Sequence, residues 1–352
     1  THGFPSQRNR VAVDVEILRF DLEAGNPQVV ALDEIAGLLR GNLDFTSHYT
    51  DVNQLMELFS GMGDTTVMAE EMPVTDTIQK ADDPFMVPLG LDITLNTKID
   101  KALAGNMRLN NVGGGLTVKN GVLVLQEMGF TSDAATMKVT AMYKSPRKNH
   151  LYLGLNLHLL EIDIAEMIDL IPELDTLVPM LKSFAGKAEF HFAAETYLKS
   201  NYELKISTLR GATAIHGKDL VVLDNETYRR IGRLLAFKDK KHNVIDSLNV
   251  EITAFKNEID VYPTLIAVDK YEALIQGRHN LNMTFDYRMG MSNPRLINWL
   301  GIWIKGDEDD MKFKVKLKKN LDLDEPRGSA EDVYLMEEIK RLKNLIYNSL
   351  KD

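Results

Sequence analysis

Residues 111–130, NVGGGLTVKNGVLVLQEMGF, decide the character of this chain. Three consecutive glycines, Gly113 to Gly115, have the look of a phosphate loop. A phosphate loop needs its backbone N–H groups to run straight into a helix N-terminus, where the dipole favours an anion. It also needs a Lys-Ser/Thr or Gly-x-Gly-x-x-Gly signature between a strand and a helix. Here the glycines lead instead to Leu116-Thr117-Val118-Lys119, then Asn120-Gly121, then Val122 to Leu125. Asn-Gly between two aliphatic runs is a strong hairpin signal, because a type I′ turn needs positive φ at both central residues. The stretch reads as strand, tight turn, strand.

The same alternation recurs along the chain. Leu91, Ile93 and Leu95 oppose Asp92, Thr94 and Asn96, and Leu151, Leu153, Leu155, Leu157 and Leu159 oppose Tyr152, Asn156 and His158. Further apolar faces are read at Ala188, Phe190 and Phe192, at Leu204 and Ile206, and at Leu248, Val250 and Ile252. Two more lie at Leu281, Met283, Phe285, Tyr287 and Met289, and at Phe313, Val315 and Leu317. Each predicts an antiparallel strand with one buried and one wet face. Turns are read at Asn120-Gly121, Lys256-Asn257-Glu258, Gly277 to Asn280 and Asp307 to Asp310.

Helices are short. One is predicted after an Asp51/Gln54 capping box, carrying Val52, Leu55, Met56 and Phe59. Ile164, Met167, Ile168 and Ile171 predict another, and Leu174, Leu177, Val178 and Leu181 continue it past Pro172 with a kink at Pro179. A further helix spans about 226–237. The last starts at Ser329 with Val333, Met336, Ile339, Leu342, Ile346 and Leu350 as one stripe. The fold class is therefore mainly β with a few short helices, a β-rich α+β arrangement of antiparallel amphipathic sheets. The organisation read from these patterns is a leading β/helix unit over 1–62, an acidic linker or long loop over 63–87, a β-rich domain over 88–325 and a terminal amphipathic helix over 326–352.

Composition narrows the function. With 352 residues and 44% apolar content, a substantial core can form, and a net charge of −10 argues against a nucleic-acid surface. No cysteine is present, which removes disulfides, thiolate metal sites and cysteine nucleophiles. No apolar run reaches the ~18 residues of a spanning helix. The chain opens without methionine or a signal-peptide core, so any anchor is expected upstream of Thr1. The eight histidines show no metal spacing, and no Gly-x-Ser-x-Gly elbow occurs. His158 and His191, on polar strand faces, are expected to be solvated or edge-bonded. Asp307 to Asp310 lacks the alternating oxygen ligands of a calcium loop and reads as a solvated turn. The lysines of KFKVKLKK are expected to protect an edge strand, and Trp299 and Trp303 to share a strand face in the core. No catalytic, cofactor-binding or metal-binding set emerges, and the chain is read as non-enzymatic.

More amphipathic strands are present than helices to cover them. Their apolar faces close on one another as a sandwich or barrel, or line up as an elongated groove, and pattern alone leaves both open. In a groove, acyl chains are the natural filler, at about 0.8 kcal/mol for each CH₂ buried. The candidate lipid-facing residues are Leu91, Ile93, Leu95, Leu153, Leu155, Leu157, Met283 and Phe285.

The order of several blocks resembles the C-terminal region of the AsmA family of Gram-negative envelope proteins. They are VPLGLDITLNTKIDKALAGNMRLNNVGGGLTVKNGVLVLQEMGF, TSDAATMKVTAMY, LRGATAIHGKDLVVLDNETYRRIGRLLAFKDKKHNVIDSLNVEITAFKNEIDVYP and VDKYEALIQGRHNLNMTFDYRMGMSNP. Together they cover most of 85–320. The resemblance implies a periplasmic module whose full-length protein is anchored in the inner membrane. It also implies an elongated β-structure with an apolar groove, concerned with outer-membrane assembly and phospholipid movement between membranes. It supplies no catalytic residues, and the family's anchor and upstream repeats are not among these blocks. Phospholipid or another acyl-chain ligand is the expected partner. The alternatives are a closed structural domain that docks an envelope protein through the Val333–Leu350 stripe, and a glycan- or lipid-acting hydrolase built on scattered carboxylates such as Glu161/Asp163.

Overall fold

The computed structural model describes residues 28–35, 38–54, 84–105, 107–132, 135–170, 181–182, 184–223, 244–268, 271–281, 284–307, 310–324 and 332–351. The Asn120-Gly121 reading holds. Strands β4 (Met107–Lys119) and β5 (Val122–Thr131) flank a two-residue turn with φ 44° at Asn120 and 78° at Gly121, and Lys119 pairs with Val122. Lys256-Asn257 makes the same kind of turn, with φ 50° and 68°, between β11 (Val244–Phe255) and β12 (Glu258–Val268).

From these hairpins the chain builds one sheet. Its remaining strands are β1 (Gln28–Ile35), β2 (Leu38–Asp51), β3 (Leu91–Ala104), β6 (Thr136–Arg147), β7 (His150–Asp163) and β8 (Phe184–Ala185). After them come β9 (Lys187–Leu198), β10 (Arg210–Val222), β13 (Tyr271–Asn280), β14 (Phe285–Asn293), β15 (Leu300–Gly306) and β16 (Lys312–Leu317). Their order in space follows their order in sequence, except that short β8 hangs on β10. All described neighbours are antiparallel apart from β2 and β3. The sheet does not close, since β1 and β16 are its two ends. The strands of the leading segment continue the same sheet, because β2 pairs with β3 from Leu39↔Leu91 to Asp51↔Leu103.

Polar residues in the left-handed region punctuate the strands. Asn111, Glu127, Glu161 and Asp219 have φ of 53°, 49°, 53° and 51°, and the pairing skips across the first three where the register shifts. Such bulges insert a residue, bend the strand and increase its twist. They also keep the apolar side chains on one face across a three-residue step, as with Leu159 and Ile162, both fully buried.

Two helices pack on opposite faces. Helix α1 (Ile164–Leu170) buries Ile164 and Met167 in the main cluster with Leu159, Ile162, Phe190 and Ile215. Helix α2 (Val333–Lys351) crosses the other face, burying Leu335 and Ile339 on Ala193, Ala212 and Ala214, and Leu342 and Ile346 on Val124 and Met142. The predicted stripe is thus partly corrected: Leu335 points inward, while Val333 and Met336 are exposed. Gly277 to Asn280 are strand rather than turn, because Arg278 and His279 pair across to Asp286 and Phe285, and Leu281 lies outside β14, which starts at Phe285. Leu204 makes only an isolated bridge, and Ile206 begins a short 3₁₀ turn rather than a strand. Asp51 Oδ1 does accept from the N–H of Asn53 at 2.9 Å and of Gln54 at 3.4 Å, as the capping reading predicts. Residues 1–27, most of the 63–87 segment, the 174–180 and 226–237 helical readings, Met283 and Ser329 lie outside the described residues.

Candidate functional site

Register shows what the apolar face of the sheet is made of. Directly paired positions form a row from Leu43 through Leu95, Leu116, Leu125, Ala141, Leu155, Ala194, Gly211 and Ala254 to Ile259. The row continues through His279 and Phe285 to Gly306. His279 is the only polar member, and it is buried with its Nδ1 2.8 Å from the Tyr287 hydroxyl. A second row runs alongside it, Met128, Val139, Leu157, Phe192, Thr213 and Ile252. Thr213 turns its hydroxyl to the His191 carbonyl at 3.1 Å, so its methyl group completes this row.

These rows are the floor of a groove with two walls. At one end of the strands α1 and Leu181 cover Leu159, Phe190 and Ile215. At the other, the segment 84–88 lies over Val118, with Phe85 and Val87 buried. Hydrogen bonds fasten that segment. The Phe85 N–H donates to the Tyr202 hydroxyl (2.5 Å), the Tyr143 hydroxyl donates to the Phe85 carbonyl (2.8 Å), and the Val87 N–H donates to Ser145 Oγ (2.7 Å). Burial holds the Tyr143 phenol above its ordinary pKa, with Tyr202 adding to the effect, so it stays a donor. Between the walls, Leu95, Leu116, Leu125, Leu155 and Ala194 remain half-buried. From β3 to β10 that floor spans six strand spacings, roughly 29 Å at ~4.8 Å each. At β11 and β12 it is covered, since Ile252 and Ile259 are buried. The depression beside Ala254, Ile259 and Leu281 holds only about 140 Å³, less than the ~300 Å³ at which small-molecule pockets begin.

Seven of the eight sequence-predicted residues can be placed. Leu91, Ile93, Leu95, Leu153, Leu155, Leu157 and Phe285 all belong to this face by register. They are not equivalent, because Leu91 packs on the Phe85–Val87 wall and Leu157 is buried in the main cluster. Leu116 and Leu125 were missed, yet both were readable. They stand symmetrically about the Asn120-Gly121 turn, so the hairpin itself sets them opposite one another.

The opposite face is polar and holds α2. Arg210 Nε and Nη2 donate to Glu338 Oε1 at 3.0 and 2.7 Å, Arg341 pairs with Glu195, and the Tyr152 hydroxyl donates to Glu195 at 2.7 Å. Glu251 Oε1 accepts from the backbone N–H of Tyr334 (2.6 Å) and Leu335 (2.9 Å), a negative charge at the positive end of the helix dipole. Next to it the rings of His158 and His191 stack at 4.3 Å. His158 Nε2 lies 2.5 Å from Glu189, and His191 Nε2 2.8 Å from Asn156. Burial, helped by the neighbouring His158, pulls His191 down to about 4. Both histidines are half-buried, each bonded to a polar side chain of the adjacent strand. Among the described residues no three His, Cys, Asp or Glu side chains converge as a metal site, and no helix is long and apolar enough to cross a membrane. Comparison with protein-family models, curated proteins and solved structures finds no match.

Proposed function

We propose that this chain is a non-enzymatic lipid-handling module that seats phospholipid acyl chains along the half-buried floor between α1 and the 84–88 wall. The observation that carries this reading is the unbroken apolar row on an open sheet from Leu95 to Ala194, of which Leu95, Leu116, Leu125, Leu155 and Ala194 are half-buried and only Ala141 is buried. A closed sandwich buries such positions completely. The floor is long enough for an extended acyl chain, since a full hydrocarbon bilayer core is only ~30 Å thick. Every methylene moved from water onto it contributes about 0.8 kcal/mol. The ordered blocks at 87–143 and 209–294 support an AsmA-like setting: a periplasmic module, its full-length chain held at the inner membrane, serving phospholipid movement in outer-membrane assembly.

Native mass spectrometry of gently purified protein is expected to show phospholipid-sized adducts. The Leu125→Lys/Leu155→Lys variant, with a charge in the middle of the floor, is expected to lose them while keeping a cooperative melt. A wild-type chain that carries no lipid and takes up no apolar fluorophore refutes the reading.

A further inference from the structure

The last hairpin separates charge along its length. Its turn is acidic, Asp307 to Asp310, whereas residues 311–320, MKFKVKLKKN, carry five lysines and no acid in a chain of net charge −10. β15 and β16 pair from Lys305↔Lys312 to Leu300↔Leu317, so the acidic turn and the far corner lie at opposite ends. That is roughly 20 Å at ~3.3 Å per residue. At the far corner apolar side chains are exposed: Leu296 at 83%, Trp299 at 55%, and on β16 Val315 at 49% and Leu317 at 42%. The short 3₁₀ turn Arg295–Ile297 presents the first two together, because the Trp299 indole N–H donates to the Leu296 carbonyl at 2.9 Å. The Lys318 N–H donates to the Trp299 carbonyl at 2.7 Å, which fixes that turn against the end of β16. Among the described residues Arg295, Lys314, Lys316 and Lys319 pair with no carboxylate, whereas Lys312 is held by Asp310 at 2.7 Å.

We propose that this corner of the sheet docks on an anionic phospholipid surface. Leu296 and Trp299 enter the interfacial layer, where tryptophan rings are enriched, and the cations that lack a carboxylate, of which Lys314 and Lys316 lie over the Trp303 ring, meet the headgroups. Edge protection explains lysines on β16 but gives no role to an exposed leucine and tryptophan on a neighbouring turn. A second copy pairing edge to edge along β16 sets Lys312, Lys314 and Lys316 of two chains against each other, and facing like charges destabilise a strand pair. The inference goes beyond the lipid reading above and is carried by different residues. Taken with that reading, it places the β14–β16 end of the apolar face at the membrane.

Flotation with phosphatidylcholine vesicles, with and without phosphatidylglycerol, tests it. The wild-type chain is expected to float only with the anionic vesicles and to be released by salt. Each lysine removed is expected to weaken binding about fivefold, so Lys314→Gln/Lys316→Gln/Lys319→Gln loses roughly a hundredfold. The chain has two tryptophans, so Trp303→Phe leaves Trp299 as the only reporter, and its emission is expected to shift to the blue on anionic vesicles. Leu296→Ser is expected to weaken both the shift and the flotation. Equal binding to neutral vesicles, no binding at all, retention of an acidic protein without vesicle binding, or a triple variant that floats like the wild type each overturns the proposal. Lipid adducts that persist in the triple variant leave the two readings separate. A wild-type chain that floats but carries no adducts refutes only the groove.

Discussion

Glu127 and Glu161 show what single residues do in this sheet. Each takes positive φ in mid-strand, which costs a non-glycine residue on the order of 1 kcal/mol, and each lies where the register shifts. The return is that Leu125 and Met128, or Leu159 and Ile162, stay on the same face across a three-residue step. The clearest residue-scale pH effect belongs to His191, whose pKa falls to about 4 through burial and the stacked His158. An unfolded histidine titrates near ~6.5, so between that value and 4 the unfolded chain binds the proton first and stability falls as pH drops. His216 acts in the opposite sense. Burial lowers its pKa, but hydrogen bonds to Asn249 (2.9 Å) and Asp332 (3.0 Å) and the Asp332 charge outweigh this and raise it. Its contribution is complete below ~6.5 and fades as pH rises through the raised value. Melts across this range are expected to decline on both sides, with the acid limb on the order of 1 kcal/mol after solvent screening. His191→Gln is expected to flatten the acid limb alone; an unchanged acid limb in that variant contradicts the assignment.

At the scale of elements, α2 explains the small residues on the polar face. Ala193, Ala212 and Ala214 sit directly beneath it, and a Cβ added at Gly154 comes within 2.6 Å of Leu342 Cδ1. One methyl group can be met by rotation of Leu342; a β-branched side chain cannot. Gly154→Val is therefore expected to destabilise by about 1–3 kcal/mol and to expose α2 to protease, as read by urea unfolding and limited digestion. Unaltered stability means that the helix does not press on β7. The same face corrects the tryptophan expectation. Trp303 lies under Lys316, whose Nζ stands 3.8 Å from the ring centroid, and Trp299 lies in the exposed turn, so neither is core. Alternation placed Trp303 on a strand face correctly, but it does not say which face is apolar when both carry large side chains. Lys312, Lys314 and Lys316 do lie on an edge strand, as their pattern predicts.

Among the described residues the sheet runs from β1 at one end to β16 at the other, with its helical clamps near the middle. Among the described residues α2 packs on strands from β5 to β11 and α1 against β7, and the residues buried with either helix lie on none of β1, β2 and β13 to β16. Local opening is easiest where few buried contacts must be broken. Hydrogen exchange is therefore expected to be slowest in β6 to β11 and progressively faster toward β1 and β16. Uniform protection across all strands instead indicates a single cooperative unit that the end strands share fully.

Most strand positions, though not those read at Leu204/Ile206 or the turn read at Gly277 to Asn280, follow from the amino-acid sequence, as do the Asn120-Gly121 hairpin, the Lys256-Asn257 turn and the apolar side of most strands. They depend on contacts within a few residues, on positive φ and on a two-residue period. Whether those apolar sides shut against one another, which of them α1 and the Phe85–Val87 segment cover, and where α2 lies were decided only in the tertiary structure. The reason is that alternation gives each strand a face but no curvature. Closure depends on accumulated twist, bulges and contacts between residues as far apart as Lys119 and Leu350, joined at 2.5 Å.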